Sequence, residues 1–483
     1  MHSRQTAVEL ASPQELLHAY LQNKLGVERE RSSAITRRPV GACAPLSLSQ
    51  EPIFWRAQEP DLPLLYNESV TVHRAGPLDG ALLVRVLTEI VRRHEIWRTN
   101  FQVVDGKPRQ VVQESGAIHV PSHDLCDFPV PVRDAEAIRL GEQDSQRRFD
   151  LQRGPLVRFR LVKLAEHEYR LFVTMHQIIC DGVSLFRILL TELCTLYDAF
   201  GQGNPSPLPE LAVQYADYAY WQRLALDAEL SRQMDFWRTE LSGKLPVLCW
   251  PARSRPAKQS FRGRIEPFAL TRDVSDKIRA ASINQRVTLF TTLLTAVCAV
   301  LHAYTGQQQM ILGTVSASGR KHSEVAGVIG YFLNPVCLRM DLAGNPSICE
   351  LLQRACERLS VAISNDDVAL ETLAENTSAN NDPSRHPFFT CAVSLEPPVA
   401  KVNGWTLTPM DLQTGGARWD MYIVFDDRPD GIIGRLQYNT DLLKANDTSQ
   451  FIRDIAATLS AISSTATQHL SGICQHIPHT ASV

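Results

Sequence analysis

The pattern of apolar and polar positions predicts a mixed α/β chain. Over 156–164 apolar residues (Val157, Phe159, Leu161) alternate with Arg158 and Arg160, the period-two pattern of a half-buried strand. The next run, 169–179, is more continuously apolar and predicts a more deeply buried strand. From Gly182 the spacing changes: Val183, Phe186, Leu189, Leu190, Leu193 and Tyr197 recur every three or four residues, which predicts a helix. A further helix is expected over 81–94, then a strand over 97–104 that closes at the Asp105–Gly106 turn signal. Later strands are expected over 310–315, 389–395, 421–425 and 432–438, with a last helix over 450–462 carrying Phe451, Ile455 and Leu459 on one face.

A Gly/Pro-rich stretch over 201–208 separates two halves of similar character. The economical division is a lead and linker over 1–41, an N-terminal lobe over 42–206, a C-terminal lobe over 207–475 and a tail over 476–483. Within the lead, Leu16, Leu17, Tyr20, Leu21 and Leu25 share one face of a short helix, followed by a charged linker over 27–39.

Composition narrows the classes. With 49 basic and 52 acidic side chains the formal charge is −3, so no net field draws the chain to nucleic acid or to an anionic membrane. One uncharged stretch, 287–307, approaches membrane-spanning length, but its threonines and the helical spacing of Phe290, Leu294, Val297 and Leu301 fit a buried core helix better. The 11 cysteines are scattered, with no C-x-x-C pair, and are expected to be reduced and structural, as in a cytoplasmic protein. Their spacing points to no metal site, and the N-terminus has no basic-plus-apolar signal pattern. Phosphate-binding loops, H-E-x-x-H and the G-x-S-x-G elbow are absent from the sequence.

The densest chemical signal is His176–Gln177–Ile178–Ile179–Cys180–Asp181–Gly182–Val183–Ser184, a strand end running through an Asp–Gly turn into a helix. A scaffold of this kind can present an imidazole to a cavity as general acid or base. A histidine there is more often a satisfied structural residue, and Asp181 reads as the partner of an arginine or the cap of the helix.

This segment resembles the H-H-x-x-x-D-G motif of condensation domains of nonribosomal peptide synthetases, within the chloramphenicol acetyltransferase-like superfamily. Other family motifs have counterparts in the same order. Leu46 to Glu51 is similar to the opening motif, and Arg93–His94–Glu95–Ile96–Trp97–Arg98–Thr99–Asn100–Phe101 to R-H-E-x-L-R-T-x-F. Tyr215–Ala216–Asp217–Tyr218–Ala219–Tyr220–Trp221 is similar to Y-x-D-F-A-x-W, and Ile329–Gly330–Tyr331–Phe332–Leu333–Asn334–Pro335 to I-G-x-F-V-N-T. Ser384–Arg385–His386–Pro387–Phe388 is similar to S-R-x-P-L. The resemblance covers about residues 42–465.

It implies an α/β fold of two chloramphenicol acetyltransferase-like lobes, arranged as a V around a central tunnel. It implies an acyltransferase that joins a carrier-bound acyl or aminoacyl donor to a carrier-bound amine, making an amide, or an ester if the acceptor is a hydroxyl. The partners would be donor and acceptor carrier proteins whose phosphopantetheine arms carry the substrates, with no cofactor bound directly. The chain would be a monomer or part of a larger synthetase. His176, Gln177, Asp181 and Gly182 take the active-site positions. Asp181 is expected to pair with Arg98, or failing that Arg93, and Gly182 to leave room for a pantetheine arm. Ser184 would cap the helix or meet substrate, and Asn334 would lie where the lobes meet. Residues 418–420 are expected to serve packing, and 365–368 depart from the family's H-Q-D-x-P-F-E pattern.

The departure that matters most is Gln177, which stands where the family has its catalytic histidine. Glutamine can accept and donate hydrogen bonds but exchanges no proton near neutral pH. If proton transfer limits the reaction, losing the base costs about 10²–10⁴ in rate. Three readings stay open: a working condensation domain in which positioning suffices; a degenerate one that binds carrier proteins or recruits a partner enzyme; and a substitution introduced to arrest turnover. An acyltransferase acting on coenzyme A or a free small molecule is a further alternative.

Overall fold

The computed structural model describes residues 34–59, 62, 64–250, 254–377, 382–409, 412–464 and 468–477. The helix expected over 13–25 lies outside them. The strands, in chain order, are β1 (Ala44–Pro45), β2 (Asn67–Ala75), β3 (Thr99–Val104), β4 (Lys107–Val112), β5 (Ser122–Asp124), β6 (Val157–Ala165) and β7 (Glu168–His176), then β8 (Gly263–Ala269), β9 (Gln309–Ser316), β10 (Asn334–Asp341), β11 (Cys391–Leu395), β12 (Trp405–Thr408), β13 (Met421–Arg428) and β14 (Gly431–Asn439).

They form three sheets. The first lobe is built on β12-β2-β7-β6-β5, the second on β10-β9-β11-β13-β14-β8, and β1-β4-β3 makes a small third sheet. Both large sheets are mixed: β5 runs parallel to β6, and β11 runs parallel to β9 and β13. The alternation over 156–164 is expressed directly, with Val157, Phe159 and Leu161 buried and Arg158 and Arg160 only partly so.

Helix termini follow their local chemistry. Asp79 accepts from the Ala81 and Leu82 N–H groups at the start of Gly80–Arg93, and Ser347 and Glu350 close a reciprocal cap at Ile348–Ile363. The apolar stretch over 287–307 becomes the helix Leu289–Thr305, whose residues 291–301 are all buried and which forms the spine of the second core. No single helix among the described residues is long and apolar enough to cross a membrane.

Three local expectations are corrected. The strand expected from Trp97 starts at Thr99, because Glu95–Arg98 winds into a tight turn in which the Trp97 N–H bonds the His94 carbonyl at 3.0 Å. The strand over 169–179 ends at His176, and Gln177–Ile179 turns away as a single 3₁₀ turn. The helix after Gly182 opens with a π-helical stretch, Ser184–Leu189, before settling into Leu190–Gly201.

The two cores do not divide at residue 207. β12 pairs antiparallel with β2, Trp405 opposite Arg74, and so covers the edge of the first lobe's sheet. Val325, Val328, Ile329, Tyr331 and Phe332 also pack into the first core, beside Tyr215 and Tyr218 of the helix Tyr215–Ala225. A Cβ on Gly330 would lie 1.9 Å from the Tyr215 ring, so only glycine lets these segments meet. The second half of the chain is thereby stitched into the first around the end of β7.

Candidate active site

β7 lies between β2 and β6, with Asn67 opposite His176 and Glu68 opposite Met175. The strand's alternation points His176 inward, where its ring is buried between Tyr66 (ring centroids 5.8 Å apart) and Phe149 (6.2 Å, edge-on). Its Nδ1 accepts the Ile178 N–H at 3.2 Å, which pins the turn. Burial, and then the nearby Arg418 charge, hold the imidazole pKa down at about 3, so the ring stays neutral. His176 is a structural residue.

Gln177 faces the other way. Its backbone N–H bonds the Tyr66 carbonyl at 2.8 Å, and its side-chain Oε1 accepts from the guanidinium of Arg418. Arg418 comes from the opposite half of the chain, just ahead of β13, and its guanidinium sits 5.0 Å from the Tyr66 ring centroid and 5.2 Å from that of Trp419. Packing alone was the expectation for residues 418–420. Trp419 does pack in the second core and Asp420 pairs with Arg255, but Arg418 reaches across to the motif glutamine. Gln177 and Arg418 line one cleft together with Glu68, Tyr331, Tyr422 and Arg435.

Asp181 is sealed. Its Oδ1 accepts from the Ser184 N–H (2.7 Å), the Ser184 hydroxyl (2.8 Å) and Arg320 Nη2 (2.8 Å), and its Oδ2 accepts from Arg320 Nε (2.9 Å). Arg320 is held in turn by the carbonyls of Val325 and Val328 and lies 4.3 Å from the Phe332 ring centroid. The expected partners are engaged elsewhere: Arg98 donates to the Gln113 carbonyl, and Arg93 pairs with Glu192 at 3.1 Å. Asp181 is therefore structural, but its arginine is Arg320.

Ser184 does not cap the helix; Asp181 does. While donating to Asp181, the Ser184 hydroxyl accepts from the Gly330 N–H at 3.0 Å, which ties the motif turn to the 325–333 segment. Gly182 leaves no open channel where a pantetheine arm was expected: a Cβ there would sit 2.9 Å from Glu396 Oε2 and 3.0 Å from Pro397 Cδ. The glycine is needed because a segment of the second half presses on it. Asn334 is buried and donates to the Asp366 and Val368 carbonyls at 2.8 and 2.7 Å, so it holds the 366–368 loop.

Four charged residues near this cleft went unrecognised in the sequence: Glu68, Arg320, Glu396 and Arg435. Glu396 meets Arg435 at 3.3 Å, and burial pushes its carboxyl up to about 7, with Arg435 opposing the shift and Asp426 and Glu68 adding to it. None of the four had a visible signal: Glu68 sits in the strand Asn67–Ala75, where Ser69, Thr71, His73 and Arg74 are polar as well. Among the described residues no group of three or more His, Cys, Asp or Glu is placed to hold a metal ion, and none of the 11 cysteines is paired.

Residues 41–475 match the condensation domain family. The chain belongs to that family. It is 34% identical over 446 residues to a component of the linear gramicidin synthase of Brevibacillus parabrevis, covering 90% of this chain but 9% of that protein. The chain thus spans a small part of such relatives. Among solved structures it superposes on the X-domain from teicoplanin biosynthesis with a TM-score of 0.78 at 25% identity, covering 91% of this chain and 99% of that one. The first condensation domain of the calcium-dependent antibiotic synthetase, at 16% identity and the same TM-score over 89% of this chain and 99% of that one, shares the fold. The α/β architecture expected from the sequence motifs is the one observed.

Proposed function

We propose that this condensation domain joins a carrier-bound acyl or aminoacyl donor to a carrier-bound amine, forming an amide in nonribosomal peptide synthesis. One arrangement supports the reading above the rest: Gln177, at the catalytic position of the motif, lines a cleft instead of packing into the core, with Arg418 of the other half facing it. Phosphopantetheine arms of two carrier proteins would bring both thioesters there, in the cytoplasm. Holding two tethered groups in attack geometry is itself a large part of such catalysis. The Arg418 guanidinium and the Gln177 amide are donors suited to the oxyanion that forms on the donor carbonyl.

The test mixes the purified chain with a donor-loaded and an acceptor-loaded carrier protein and follows the condensed product by intact-protein mass spectrometry. Product is expected, and Gln177→His is expected to match or exceed the parent rate. A lower rate in Gln177→His would give the glutamine a catalytic role of its own.

The second reading, a domain that recruits a partner enzyme, draws on the teicoplanin X-domain, which has been solved in a complex with OxyB. It would be favoured by carrier-protein binding without product in either form.

A further inference from the structure

We infer that Glu68 is the proton acceptor of the condensation step, occupying by way of the neighbouring strand the role that Gln177 cannot fill. The inference rests on the amide-forming reading above. Geometry carries it. Glu68 lies on β2 next to Asn67, the register partner of His176, and so sits beside the end of β7 where the motif turn begins. Gln177 follows His176 directly, and the Glu68 and Gln177 side chains line the same cleft.

Glu68 also differs from the other inward-placed carboxylates. Asp144, Asp181, Glu192, Asp366, Glu396, Asp420 and Asp426 each pair with an arginine or lysine. The Glu68 side chain makes no hydrogen bond and no ion pair among the described residues. Its charge is nonetheless felt on both sides of the cleft: it supports the charge on Arg418 and disfavours ionisation of Glu396 and Cys180. A carboxylate left without a partner beside a cleft is free to accept a proton from a group bound there.

The step balances as follows. The acceptor amine nitrogen attacks the donor thioester carbon, and the new C–N bond forms as negative charge develops on the carbonyl oxygen, facing Arg418 and the Gln177 amide. Glu68 takes a proton from the attacking nitrogen. The C–S bond breaks, and Glu68 returns that proton to the departing sulfur, leaving an amide and a free pantetheine thiol. Arg418, Arg435, Tyr331 and Tyr422 line the cleft with Glu68, and Glu396 and Cys180 are close enough to sense its charge.

The experiment uses the two-carrier assay on the full chain. Glu68→Gln, nearly isosteric, is expected to keep its circular dichroism spectrum and carrier binding while kcat falls by about 10²–10⁴, with the acid limb of the pH–rate profile lost. Two rescues are expected: formate added to Glu68→Ala, and a base restored at position 177 in the Glu68→Gln, Gln177→His double variant. A Glu68→Gln rate within about twofold of the parent overturns the inference and leaves the amide-forming reading standing. So does a large loss that neither formate nor Gln177→His restores, since that pattern marks a structural role. A parent chain that binds loaded carriers and yields no product overturns both.

Discussion

The two ends of the motif turn have opposite fates. At one end Asp181 is enclosed by Arg320, Ser184 and the 325–332 segment, with every contact satisfied inside the protein. Toward the other end, Gln177 and its neighbour Glu68 face the cleft, with Arg418 and Arg435 from the other half of the chain. The same short sequence therefore supplies both a structural rivet and a chemical surface. The difference teaches that a motif's charged residue is not by that fact its chemical one: the carboxylate with the richest bonding is the least free to react.

The contrast can be broken at its rivet first. Asp181→Ala leaves Arg320 buried without its counter-charge, and chemical denaturation is expected to register a loss of about 3–5 kcal/mol. A loss below about 1 kcal/mol would mean that water reaches Arg320 and that this end is not sealed. Gly182→Val tests the seam between the halves. Its branched side chain must displace Glu396 and Pro397, at an expected cost of about 1–3 kcal/mol by overpacking, read as a lower midpoint in the same titration.

The pH dependence sharpens the comparison with smaller effects of opposite sign. The folded-state pKa of His176 is depressed to about 3 from 6.5, so the unfolded chain binds the extra proton first. Stability from this residue is intact above pH 6.5 and is lost as pH falls toward 3. Glu396 is raised to about 7 from 4.5, so its contribution is intact below pH 4.5 and is lost as pH rises through 7. Melting temperatures across about pH 4–8 should therefore fall less steeply with acid in His176→Phe than in the parent. They should fall less with base in Glu396→Gln.

Much of the scaffold was legible from the chain. Period-two alternation located β6, and helical spacing located Gly80–Arg93 and Leu289–Thr305, because burial of one face imposes a period that needs no knowledge of the partner. Ordered motifs were enough to name the family. The site was legible only as a turn. Arg98 and Arg93 are reasonable partners for Asp181 by motif proximity, yet one bonds the Gln113 carbonyl and the other pairs with Glu192, a buried carboxylate on the helix after the motif. Gly182 reads in the sequence as room for a ligand, whereas its neighbour is a proline from beyond β11.

The sequence by itself determined the strongly periodic elements, where the motif turn lies, and that position 177 carries no base. Tertiary structure alone decided that Arg320 closes on Asp181 across 139 residues, that Arg418 meets Gln177 across 241, and that Glu68 shares their cleft. The physical reason is one of range. Propensity and periodicity act within a few residues and say which face of an element is buried. Charge pairing acts through space, and its partners are chosen only when two halves of the chain pack together.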